Sequence, residues 1–83
     1  MRAKRVDANH GAIRDTLRRL GWRILDVSDC AGLCDLLAHR GGILRMVEVK
    51  TAKGTLTARQ QELMAEGWPI VIVRSVEDAL RLR

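Results

Sequence analysis

Three side chains in this sequence are of the types that phosphate hydrolysis uses: Asp35, Glu48 and Lys50. Glu48 and Lys50 stand two positions apart, at the end of the apolar run Ile43 to Val49. Side chains of a strand alternate faces, so these two project together while Val47 and Val49 point the other way. Asp35 lies in a second apolar stretch, Leu33 to Ala38, which reads as the neighbouring strand. The "HRGG" between them predicts a hairpin turn, because paired glycines supply positive φ with little strain. Pairing brings both carboxylates to one end of a sheet, where both stay ionised only with a cation between them. Two carboxylates suit Mg²⁺, which keeps several of its waters. Such an ion activates a water and offsets charge on a phosphate under attack, and the Lys50 ammonium can hold that water or steady the developing oxyanion. The competing reading is an ordinary same-face ion pair of Glu48 with Lys50, worth about 0–1 kcal/mol at a surface.

The elements that must position these residues follow in order. Asp7 or Asn9 can cap a helix whose apolar positions are Ile13, Leu17 and Leu20, ended by Gly21. Trp22 to Val27 reads as a strand, followed by the loop "SDCAG", the strand with Asp35, the turn and the strand with Glu48. After the polar stretch "KTAKGTL", Thr57 and Gln60 form a capping-box pattern opening a second helix that ends near Gly67. Pro69 begins "PIVIVR", apolar on both faces and expected to be a buried strand. Ser75 and Asp78 cap a short final helix through Leu80. The order α-β-β-β-α-β-α places the second helix as a crossover between the last two strands. The fold class expected is a single α/β domain over residues 1–83, a central mixed sheet flanked by helices.

Composition bounds the rest. The 83 residues are 47 % hydrophobic with no Phe or Tyr, so the core must come from Leu, Val, Ile, Ala and two Trp. A domain this short buries only about 60–65 % of its unfolded surface; self-association adds burial, and a homodimer is expected. Trp22 and Trp68 are expected in the core or that interface. The net charge of +5, with Lys4 and Arg5 near the start, favours a polyanionic partner, nucleic acid being the commonest. Lys53, just after Lys50, is a candidate phosphate contact. The missing Phe and Tyr argue against base stacking. Cys30, Cys34 and His39 fit no common zinc spacing, and packing is the default role of both thiols. No apolar run follows the basic start and none approaches a membrane span, so a reducing cytoplasm is the expected location.

Taken together, "DANHGAI", "GLCDLLAHRGG", "VEVK", "LTARQ" and "VIVRSVEDAL" resemble the VRR-NUC family of the PD-(D/E)xK nuclease superfamily, over Val6 to Leu80. The resemblance implies a restriction-endonuclease-like core and a Mg²⁺- or Mn²⁺-dependent DNA endonuclease. Asp35, Glu48 and the main-chain carbonyl of Val49 would bind the metal, Lys50 would be the catalytic lysine, and Gln60 would complete the site from the second helix. Asn9 stands where the family has an asparagine. Free-standing members, bacterial or viral, are similar in size and act as homodimers on branched DNA such as four-way (Holliday) junctions, which implies the cytoplasm of a bacterial or phage-infected cell. Two departures stand out. Cys34 replaces the proline that precedes the aspartate, and Ala12 replaces a glutamate on the first helix, for which Asp15, one turn on, is the available substitute. Loss of that glutamate makes a non-catalytic DNA-binding protein the alternative. An interaction module that binds no nucleic acid is the third reading.

Overall fold

A computed structural model describes residues 8–30 and 32–83. The expected cap at Asp7 and the basic residues Lys4 and Arg5 lie outside the described residues. Seven elements follow in the expected order: α1 (Ala8–Arg19), β1 (Arg23–Asp26), β2 (Leu36–Arg40), β3 (Ile43–Val49), α2 (Ala58–Ala65), β4 (Ile70–Val73) and α3 (Val76–Leu80). The strands form one sheet in the order β1-β2-β3-β4. β1–β2 and β2–β3 are antiparallel; β3–β4 is parallel, so the sheet is mixed. A parallel pair needs a crossover, and α2 supplies it.

Each element has a local cause. Ile13 and Leu17, four apart on α1, are fully buried, while Arg18 and Arg19 occupy the last turn, where the helix dipole favours cations. Leu20 falls just past the helix and is partly exposed. Asn9 lies within α1 and does not cap it. The capping box of α2 is present in both directions between Thr57 and Gln60. Ser75 caps α3 by accepting the Asp78 N–H.

Two boundaries of the hairpin differ from the sequence reading. The hairpin turn is Gly41–Gly42 alone, at φ 57° and 81°. Two adjacent positive-φ residues satisfy a two-residue type I′ turn, so the ladder runs on through His39 and Arg40 to the Arg40–Ile43 pair. At its other end β2 starts at Leu36, which leaves Leu33, Cys34 and Asp35 in the approach to the strand. β4 is buried at Ile70 and Val73 and partly so at Val71 and Ile72, as its sequence suggests, although it lies at the sheet edge. Its apolar residues on both sides are explained by helices above and below it, while Pro69 sits just before it, as suits an edge.

The two faces of the sheet are covered unequally. On one, α1 and α3 close over Leu36, Ala38, Val47 and Val73 together with Ile13, Leu17, Trp22 and Ala79. On the other, α2 contributes Leu63 against Cys34, Met46 and Ile70, with Val27, Leu33, Leu37 and Leu56 partly buried around them. Trp22 is a core residue with the Arg40 guanidinium 4.5 Å above its ring, a cation–π contact. Trp68 is half exposed. None of the described helices is long and apolar enough to cross a membrane.

Candidate active site

Strand alternation carries Glu48 to the α2 side of β3, next to Met46 and away from Val47 and Val49. There its carboxylate is 8 % exposed. Oε1 accepts a hydrogen bond from Gln60 Nε2 at 2.9 Å, and Oε2 is 3.2 Å from Lys50 Nζ. The pair is therefore no surface ion pair: the Lys50 side chain is only 22 % exposed. Taking a carboxylate this far from water requires such partners.

Gln60 has two roles at once. Its Oε1 accepts the Thr57 N–H at 3.1 Å in the capping box, while Nε2 donates to Glu48 and to the Leu33 carbonyl at 3.1 Å. An amide NH₂ offers two protons, so the donor side is fully used. Gln60 is thus a positioning residue that holds Glu48, α2 and the Leu33 segment in one register.

Asp35 is fixed by β3. Its N–H donates to the Val47 carbonyl at 3.0 Å, its carbonyl accepts the Val27 N–H at 2.9 Å, and its Oδ2 accepts the Val49 N–H at 2.8 Å. A carboxylate held by a backbone amide at the strand end keeps its second oxygen for a cation or water. Asp35 and Glu48 line one cleft of about 190 Å³, with Gln60, Cys34, Cys30 and Ser28 on its walls. Two larger hollows, about 450 and 320 Å³, lie along β1 and carry no acidic group. Chemistry, and not size, marks the cleft as the candidate site.

Cys34 beside them is no nucleophile. Burial first, then the Glu48 and Asp35 carboxylates, push its thiol from the ordinary 9.0 up to about 11. Cys30 is exposed. His39 sits at the far end of β2, where the hairpin closes, so Cys30, Cys34 and His39 do not converge. Among the described residues no three His, Cys, Asp or Glu side chains are grouped to hold a metal ion. Two carboxylates and water are a donor set that Mg²⁺ or Mn²⁺ accepts and a structural zinc does not.

The segment after Lys50 is tied down by groups the sequence reading missed. A Cβ on Gly54 would lie 3.0 Å from Lys50 Cδ and 3.2 Å from its Cβ, so only glycine lets the lysine stem lie against this loop. The Thr51 carbonyl accepts both the Gly54 N–H and the Arg74 guanidinium. Asn9, a candidate DNA contact in the sequence, donates its Nδ2 to the Arg74 carbonyl at 2.8 Å. Lys53 is exposed on the same loop. No local pattern announces Arg74, whose partner is 23 residues away; the lone glycine in "KTAKG" was the available signal for close approach.

At the same end of the sheet, on the α1 side, His10 is buried with Nε2 3.7 Å from Asp26 Oδ2, and Asp26 Oδ1 accepts from both the N–H and hydroxyl of Ser28. This acidic neighbour was invisible in the sequence. Ala12 is exposed, and Asp15 is exposed and 3.2 Å from the Arg14 side chain; neither is among the residues that line the cleft. No protein-family model, curated protein or solved structure matches this chain.

Proposed function

We propose that the protein is a metal-dependent DNA endonuclease that hydrolyses phosphodiester bonds in branched substrates such as four-way junctions. The observation that supports this reading is that Asp35 and Glu48 line one cleft at the end of β3, with Glu48 held on one oxygen by Gln60 and on the other by Lys50. Mg²⁺ or Mn²⁺ fits the donors present: Asp35, Glu48 and the adjoining Val49 carbonyl would hold it, the remaining positions being water. When bound, it supplies a low-pKa water and charge neutralisation at the phosphate.

The chain's own groups do the rest. Lys50, already beside Glu48, orients the attacking water and donates to the oxygen on which negative charge grows. Gln60 keeps the Glu48 carboxylate from rotating away, and the Val49 amide does the same for Asp35. The net positive charge draws in the phosphate backbone, and Lys53, exposed on the loop that follows Lys50, is available to it. Two copies on one junction would present two clefts to strands related by a two-fold axis.

A labelled four-way junction incubated with and without Mn²⁺ tests the proposal. Metal-dependent nicks that vanish on chelation are the expected result. The second reading, a DNA-binding protein without catalysis, draws on Ala12 and on Asp15 pointing elsewhere. Retention of the junction at low salt with no nicks in Mn²⁺ would favour it.

A further inference from the structure

We propose that two copies of this chain meet through the half of the sheet that α2 leaves uncovered, each receiving the C-terminal end of the other's α2. α2 lies over β4 and the adjoining part of β3, and beside it the α2-facing residues of β1, β2 and the start of β3 form an open groove of about 320 Å³. Leu25, Leu37 and Leu44 floor it, and Arg23 and His39 rim it. The matching projection is on the same side of the molecule: Met64 and Trp68, flanked by Glu62 and Glu66, at the end of α2. Leu25, Leu44, Met64 and Trp68 are between 43 % and 62 % exposed, apolar surface that an interface would cover.

Charge selects the occupant. Glu62 and Glu66 stand at the negative end of the α2 dipole, and the last turn holds no basic residue. Among the described residues, the Glu62 carboxylate is paired with exposed Arg59 alone, and the Glu66 carboxylate with the Trp68 indole N–H alone. Arg23 has no ion pair among the described residues. An apolar groove rimmed by the Arg23 guanidinium and an apolar projection rimmed by carboxylates, on one face of one chain, are what a two-fold interface needs, since each contact then occurs twice. Both features lie at the hairpin end, where Leu44 pairs with His39 and His39 with Arg23, while the Asp35–Glu48 cleft is at the other end of β3. Two copies so joined leave both clefts open.

This inference locates the two-copy arrangement and does not use the cleft chemistry, so sedimentation tests it while cleavage assays test the other. The wild type is expected to sediment as a dimer at micromolar concentration. Leu25→Asp in the groove and Met64→Arg on the helix each set a like charge against the rim it must meet, and each should raise the dissociation constant by roughly 30-fold or more. Both sites are exposed, so circular dichroism should be unchanged. An equimolar mixture of the two variants keeps one native contact and makes the other an opposite-charge contact, so heterodimers should form where neither variant self-associates. A monomeric wild type, a dimer that survives either substitution, or a mixture that stays monomeric would overturn the proposal.

Discussion

The two faces of this sheet do different work, and the contrast shows how a small chain makes room for chemistry. Under α1 and α3 the core cluster is apolar or indole, five of its members large side chains with under 2 % exposure, with His10 and Thr16 the buried polar residues of α1. Under α2 the apolar cluster is four residues, and beside it Glu48 and Gln60 are buried as deeply as Leu63. Burying a carboxylate is unfavourable unless it is paired. A domain with a thin stability margin can tolerate that on one face only if the other supplies most of the hydrophobic stabilisation.

The largest expected effect tests the polar side of this contrast. Lys50→Ala should lower metal-dependent nicking by roughly 10²-fold or more while the junction is still bound, because a group aimed at developing charge is lost. Gel-based cleavage and binding assays on one preparation read both quantities, and unchanged cleavage would remove Lys50 from the reaction. On the apolar side, Leu17→Ala should cost about 2–5 kcal/mol, through lost burial and the cavity left behind. Leu63→Ala, on the half-covered face, should cost less, since α2 can settle into the space. Urea midpoints that ranked the two in reverse would break the comparison.

Smaller effects sharpen it. Gln60→Ala removes the return half of the cap and leaves the Leu33 carbonyl and one Glu48 oxygen without their donor; about 1–3 kcal/mol is expected. Thr57→Ala loses only its own half of the box, about 1 kcal/mol. Equal losses would mean that the Gln60–Glu48 bond adds nothing. Asp35→Ala removes one of two neighbouring carboxylates but should still destabilise the fold, because the Val49 N–H loses its acceptor.

The smallest concerns Cys34. Its thiol is raised to about 11 against an ordinary 9.0. The folded state therefore keeps the proton longer than the unfolded chain does. That contribution is whole below about pH 9 and declines between pH 9 and pH 11, as the unfolded chain alone ionises. Alkylation at pH 8 should label exposed Cys30 and spare Cys34, and mass spectrometry of digested protein reads the ratio. Equal labelling would mean that the cleft wall is open.

Much of the fold was written locally. The Gly41–Gly42 turn, the Thr57–Gln60 box and the Ser75 cap are each decided within a few residues, because a dihedral preference or a side chain reaching its own backbone needs no distant partner. Strand alternation placed Glu48 and Lys50 on one side for the same reason. What only the tertiary structure decided depends on groups far apart in the chain. Asp35 is held outside its strand by the Val49 amide, Gln60 divides its two protons between Leu33 and Glu48, and Arg74 reaches back to Thr51. The edge position of β4 and the bare half of the α2 face belong to the same class. Hydrogen bonds across a fold are set by where separate elements come to rest, and sequence spacing encodes the elements far better than their meeting points.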